Sequence, residues 1–376
     1  MCLIATTRLV KSRFVAAIAV VALLSSTVLP ITRANAARVV AHQQTSSSLF
    51  SVGVARCTFV DPTRSVLNYS TNPPSVLSSA RSLVTEIRYP TRLIPGSPIQ
   101  VNGAKPARKS GGYPMIVFAH GYDVTPDTYT PLLDAWVRAG FVVVAPYFPD
   151  ESASAVAAQH GANTENDLLN EPADLTFVTR SILQSSVNQT SRCHVMDGMV
   201  DATELGLVGH SDGATAVALL ALAHGNDPQG VAYSDLRAGL NYRAVAILSG
   251  DEDAHLTYAS ESSDPSLLVI QSAADQCNPV RDGVKLYNNI DQTNKWFLEL
   301  RTAHHLPPFD GVDAAAFRVV AATSTLFFQT SLDGVISAKS ITVTGNQSPR
   351  VAEMFAGKTR PPIFRALNIP ATCGPD

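Results

Sequence analysis

Gly209-His210-Ser211-Asp212-Gly213 is the segment that most restricts how this chain can fold. The strand-like stretch Glu204 to Val208 runs into it and the alanine-rich stretch Ser211 to Ala223 follows. A strand, a sharp turn and a helix are therefore expected in quick succession, with Ser211 raised at the turn above the end of a parallel sheet. The flanking glycines let strand and helix approach closely. A serine hydroxyl is a weak nucleophile on its own, so the reading requires a base, an acid and oxyanion donors elsewhere.

Candidates for the acid and base lie downstream. The apolar run Leu267 to Ile270 opens onto Asp275, just past an expected strand end. Asp251 holds a similar place after Ala244 to Leu248, and it is the rival acid. Lys295 to Leu300 reads as a further strand and leads into His304 and His305, which compete for the role of base. A triad is defined by geometry, so neighbouring candidates of one residue type stay open at this point. The order serine, aspartate, histidine separates this chain from the chymotrypsin and subtilisin arrangements.

Upstream, Met115 to Ala119 ends in His120-Gly121-Tyr122, where Gly121 allows a tight turn beside a reaction centre. The backbone N–H groups of Tyr122 and Asp212 are the expected oxyanion donors. Chemistry of this kind calls for no metal and no organic cofactor.

The rest of the chain supplies a scaffold for such a site. Thr128 to Ala139, Leu168 to Leu183 and Ala314 to Leu332 read as helices, alternating with strands at Phe141 to Ala145, Ala244 to Leu248, Leu267 to Ile270 and Lys295 to Leu300. This alternation predicts an α/β fold with a mostly parallel central sheet flanked by helices. Residues 37–80 read as an extended N-terminal segment with Val52 to Cys57 as an edge strand. Residues 81–333 form the catalytic domain, and 334–376 a C-terminal extension packed on it. Trp136 and Trp296 fall inside regular elements and are expected to pack in the core.

Residues 1–36 read as a signal peptide: Arg8, Lys11 and Arg13 precede the apolar stretch Phe14 to Leu29, and Ala34-Asn35-Ala36 offers a small-x-small cleavage site. The expected product is secreted or extracytoplasmic, with loose cell-surface association compatible with it and no integral membrane segment remaining after cleavage. Removing Arg8, Lys11, Arg13 and Arg33 takes the 28 basic residues to 24, against 31 acidic ones, a formal charge of −7. That balance argues against a nucleic-acid partner, which would draw on clustered lysine and arginine. Cys2 leaves with the signal, and Cys57, Cys193, Cys277 and Cys373 remain as disulfide candidates. The preferred pairing joins Cys57 to Cys373 and Cys193 to Cys277. No compact C-x-x-C pair suggests a metal site.

At the oxyanion segment Val117 to Tyr122, the helix Leu168 to Leu183, the elbow Gly209 to Gly213 and the Asp275 and His305 neighbourhoods, the chain resembles the α/β-hydrolase family. The resemblance is to its exported esterase branch near platelet-activating-factor acetylhydrolases, chlorophyllases and cutinase-like polyesterases. It implies Ser211 as nucleophile, Asp275 as acid and His305 as base, with Tyr122 and Asp212 as oxyanion donors. Asp212 departs from the hydrophobic residue or glutamine common after the serine, so its carboxylate is expected to point away from the cleft or to be hydrogen-bonded. The implied activity is hydrolysis of lipid, small or polyester esters through an acyl-enzyme, with an ester or a lipid or polymer surface as partner. Two other readings stand beside it. One is a secreted acyltransferase with a carbohydrate or lipid alcohol acceptor; the other is a noncatalytic binding protein on the same fold.

Overall fold

Side chains along the central strands alternate between two apolar faces, as the two-residue period of a strand requires. Met115, Val117 and Ala119 enter one buried cluster, whereas Ile116 and Phe118 enter the other. A sheet that is apolar on both faces needs cover on both sides, and this dictates the layered architecture. The computed structural model describes residues 50–92, 100–158, 165–187, 193–251, 257–258, 265–334 and 337–361. The expected signal peptide and Cys373 lie outside these residues.

Ten strands form the main sheet: β1 (Phe50–Asp61), β2 (Arg81–Arg92), β3 (Gln100–Asn102), β4 (Tyr113–Ala119), β5 (Val142–Pro146), β6 (Val200–His210), β7 (Tyr242–Leu248), β8 (Ser266–Ser272), β9 (Lys295–Leu300) and β10 (Val351–Ala356). Their spatial order is β10-β9-β8-β7-β6-β4-β5-β2-β1-β3. From β5 to β9 every neighbouring pair is parallel, and β2 and β10 flank this block in antiparallel register. The large, mostly parallel sheet with flanking helices is an α/β-hydrolase fold.

Helices α1 (Thr130–Arg138), α2 (Glu171–Val187), α3 (Asp212–Leu222), α4 (Val280–Asn289) and α5 (Ala314–Phe328) supply the cover. Leu175, Val178 and Ile182 of α2, the alanine and leucine side chains of α3 and Leu286 of α4 join one apolar cluster. Leu132, Leu133 and Trp136 of α1, with Val320, Phe327 and Phe328 of α5, join the opposite one. Each such large side chain withdrawn from water contributes about 1.5–3 kcal/mol before entropy is charged against it. Trp136 and Trp296 both lie in this second cluster, and Trp136 Nε1 donates to Ser324 Oγ at 2.9 Å.

Sheet membership runs beyond the boundaries read at residues 81 and 333. The segment read as an extended entry contains β1, which pairs with β2 over its whole length, and the C-terminal extension contributes β10. Of the edge strand read at Val52 to Cys57, the first part is not an edge, because β3 pairs with Val52 to Val54 on the outer side of β1.

The disulfide pairing differs from the expected one as well. Cys57 on β1 is bonded to Cys193, following α2, so neither Cys57–Cys373 nor Cys193–Cys277 forms. Strand β1 stands close to the chain leaving α2, a proximity that sequence spacing does not encode. Cys277 is also disulfide-bonded.

A buried ionic network fixes the approach to α2. Arg81 on β2 pairs with Asp167 at 2.7 Å and Asp174 at 2.6 Å, and Arg64 reaches Asp174 at 2.5 Å and Asp61 at 2.8 Å. Both partners of Arg81 are fully buried, so removing Arg81 would strand two carboxylates in the interior.

Candidate active site

The central strand β6 ends at His210, and the chain turns into α3 through Ser211 at φ 56° and ψ −125°. A serine at positive φ is strained, and it persists here because the surrounding packing over-determines it. A Cβ on Gly209 would lie 2.1 Å from the Gly213 carbonyl oxygen, and one on Gly213 would lie 2.4 Å from that of Ala119. Only glycine fits either place, so the elbow is a product of close packing among β4, β6 and α3. The Ser211 N–H donates to Leu248 O at 3.1 Å, tying the turn to the end of β7.

The segment after β4 lies directly against this turn. A Cβ on Gly121 would fall 2.8 Å from that of Ser211. His120 is fully buried; its Nε2 accepts the Phe148 N–H at 3.0 Å, which leaves Nδ1 to donate to the Gly121 carbonyl at 2.8 Å. Burial pushes the His120 pKa down to about 4, so the imidazole is neutral at ordinary pH. The Gly121–Tyr122 peptide is planar, and with its carbonyl held by His120 the Tyr122 N–H is directed the opposite way. The Asp212 N–H opens α3, where no preceding helical carbonyl can accept it.

The histidine loop follows β9 and the acid loop follows β8. His305 Nδ1 lies 2.9 Å from both Oδ1 and Oδ2 of Asp275. The carboxylate is fully buried and the imidazole is mostly so. Oδ1 also accepts the N–H groups of Cys277 and Asn278, each at 2.9 Å, which fixes the acid in its loop. The His305 and His210 rings are 4.6 Å apart between centroids, placing the base loop beside the residue that precedes Ser211.

The rival residues go elsewhere. His304 is exposed, and Asp251 meets the Thr215 hydroxyl of α3 through its backbone N–H and carbonyl, each at 3.4 Å. The structure thus pairs Asp275 with His305 and brings the Gly121 turn against Ser211. Asp275, Cys277 and His305 hold potential metal-ligand atoms within 4.8 Å of one another, but the Cys277 sulfur is in a disulfide and is no thiolate.

Of the two expectations for the Asp212 carboxylate, pointing away from the cleft or being hydrogen-bonded, the second is not met at Oδ2. This oxygen is buried without a hydrogen-bond partner among the described residues. Burial pushes the Asp212 carboxyl up to about 6, Glu165 adds to the rise and His305 opposes it. Two further acids that sequence reading missed, Glu151 and Glu171, are fully buried, and their carboxyl oxygens have no hydrogen-bond partner among the described residues. Burial raises both pKa values well above the usual range, Asp212 and Asp167 add to the rise at each, and Glu151 raises Glu171 further. Two such buried acids favour the protonated form, because burial penalises the charged one. Tyr129 is a further contributor hidden in the sequence, where an aromatic at a helix start reads only as core.

Comparison with known proteins agrees with this architecture. Residues 80–270 match the family model described as Chlorophyllase. A ferulic acid esterase from Streptomyces cinnamoneus superposes with a TM-score of 0.57 at 17% identity, covering 77% of this chain and 93% of that one. At that identity the likeness speaks for the fold. No curated protein matches the sequence.

Proposed function

The chain belongs to the chlorophyllase family and is a carboxylic ester hydrolase, and on that premise we propose that it is an exported serine esterase working through Ser211, His305 and Asp275. The observation that carries this reading is the pairing of His305 Nδ1 with both Asp275 oxygens at 2.9 Å, beside an elbow that lifts Ser211 at positive φ. Asp275 holds the imidazole in the tautomer with its proton on Nδ1, leaving Nε2 free to act as base.

In the proposed reaction His305 Nε2 takes the Ser211 proton as Oγ attacks the ester carbonyl. The Tyr122 and Asp212 amides stabilise the oxyanion of the tetrahedral intermediate. Protonation of the leaving alcohol by His305 breaks the C–O bond and gives an acyl-enzyme. Water, deprotonated by the same imidazole, then releases the acid and restores Ser211. The substrate class proposed is lipid, small or polyester esters. Export is supported by the Cys57–Cys193 disulfide, since such bonds persist in oxidising compartments. Among the described residues no helix is long and apolar enough to cross a membrane.

The test is mass spectrometry after fluorophosphonate treatment, combined with turnover of a panel of short-chain, long-chain, aryl and polymeric esters. The expected result is a single adduct on Ser211, with adduct and turnover both lost in Ser211→Ala. Turnover that survives in Ser211→Ala overturns the assignment.

A further inference from the structure

The imidazole of His210 sits between the two loops that flank Ser211. Its Nε2 is 3.1 Å from the backbone carbonyl of His305, and its Nδ1 is 2.8 Å from the Tyr129 hydroxyl. The same hydroxyl accepts the Gly121 N–H at 3.3 Å. We propose that Tyr129 and His210 are positioning residues that hold the base loop and the oxyanion loop in register across the nucleophile, through one hydrogen-bond chain running from Gly121 to His305. This inference rests on the roles proposed above for Ser211, His305 and Tyr122.

The two ends of the chain fix every proton in it. The His305 carbonyl can only accept, so His210 Nε2 carries the proton. A neutral imidazole then has a bare Nδ1, which must accept from the Tyr129 O–H. The tyrosine oxygen is left to accept, and the Gly121 N–H can only donate. The arrangement requires an uncharged His210, and full burial drives its pKa well below the usual value, with His305 adding to the effect. Direction is thus unambiguous, and no member can reverse without leaving a buried group unpaired.

Packing holds the chain dry and rigid. The His210 ring lies 4.8 Å from that of Phe309 and 5.4 Å from that of Tyr129, and Tyr129 lies 4.7 Å from Phe118. Tyr129 and His210 are both buried in this apolar setting. The contact to His305 is to the backbone of the residue whose side chain acts as base, so a shift of His210 carries the imidazole with it. The contact to Gly121 is to the residue whose carbonyl belongs to the Tyr122 peptide. One side chain of the elbow therefore sets the height of the base and, through Tyr129, the seat of an oxyanion donor.

Four variants test this in the full-length protein: Tyr129→Phe, His210→Asn, His210→Gln and the double variant Tyr129→Phe/His210→Asn. Tyr129→Phe keeps the ring and removes the hydroxyl, and kcat is expected to fall roughly 10- to 100-fold with KM unchanged. His210→Asn is expected to fall by a similar factor. His210→Gln still reaches the His305 carbonyl with an amide N–H and is expected to recover to within about threefold of wild type. The double variant is expected to be no slower than the worse single one, because both break the same chain. Melting temperature is followed in parallel. Wild-type kcat in Tyr129→Phe and His210→Asn, even with lowered melting temperature, overturns the inference, as does equal loss in the Asn and Gln variants. Fluorophosphonate labelling of the wild type separates the two levels. Absence of a Ser211 adduct defeats the active-site reading and this inference together, whereas normal labelling with unaffected variants defeats the inference alone.

Discussion

Asp275 meets His305 through both carboxylate oxygens at 2.9 Å while its Oδ1 also takes the N–H groups of Cys277 and Asn278. The acid is held by the backbone of its own loop, and it faces the imidazole with both oxygens. Substituting Asp275→Asn keeps the shape, yet an amide NH2 can face Nδ1 and favour the wrong tautomer. The expected loss in kcat is on the order of 10³–10⁴-fold, with KM little changed. Asp251→Asn, the control, is expected to stay near wild type. Steady-state kinetics on any turned-over ester checks the pair, and a larger loss in the Asp251 variant would reverse the assignment.

The adjacent histidines give a second contrast. His304 is exposed, whereas the His305 side chain is mostly buried against Asp275 and the His210 ring. His305→Ala is expected to cost on the order of 10⁵–10⁶ in kcat, and His304→Ala less than about tenfold. Both variants should show wild-type melting behaviour within a few degrees, and comparable losses from the two would remove His305 from its role.

Much of this was legible in the residues. The elbow declares itself because Gly209 and Gly213 leave no room for a Cβ, and the strands of the parallel block show as apolar runs because both their faces are covered. What failed had physical causes. The strand read over Val52 to Cys57 runs on as β1 to Asp61, its second half being partly exposed, so that the polar Arg56 and Thr58 blur where the strand ends. Disulfide pairing depends on which distant segments meet, and Cys57 meets Cys193 through the packing of β1 beside the chain leaving α2. Asp251 and Asp275 both follow strand ends, and only the course of each loop decides which faces the imidazole. Glu151 and Glu171 lie in a polar stretch that gives no sign of burial, and Tyr129 hides its hydroxyl's task behind an aromatic ring.

The Cys57–Cys193 bridge spans 136 residues, so breaking it frees a long loop in the unfolded chain. Chain-entropy reasoning puts the contribution at about 2–5 kcal/mol. The double variant Cys57→Ser/Cys193→Ser is expected to lose that much in denaturant unfolding while keeping near-normal kcat at 25 °C, because the bridge joins β1 to the chain after α2 and not to the acid or base loops. Unchanged stability, or kcat lost in the folded protein, would contradict the expectation.

The Glu151–Glu171 pair makes a pH prediction whose sign can be worked out. Burial raises both carboxyls in the folded state, Asp212 and Asp167 add to both, and Glu151 adds to the rise at Glu171. Above the unfolded carboxyl value the folded protein keeps a proton that the unfolded chain releases, so stability falls as pH rises through the folded value. The buried imidazoles of His120 and His210 act in the opposite sense: below about pH 6.5 the unfolded chain takes up protons they refuse, and stability falls toward acid. Glu171→Gln removes one buried ionisable group without removing volume. Its melting temperature is expected to match wild type near pH 6 and to exceed it by several degrees at pH 9, with the acid-side loss unchanged in both proteins. Melting curves between pH 5 and 9 decide it: a Gln variant less stable than wild type at pH 9 would mean that the ionised pair is held by a compensating positive charge.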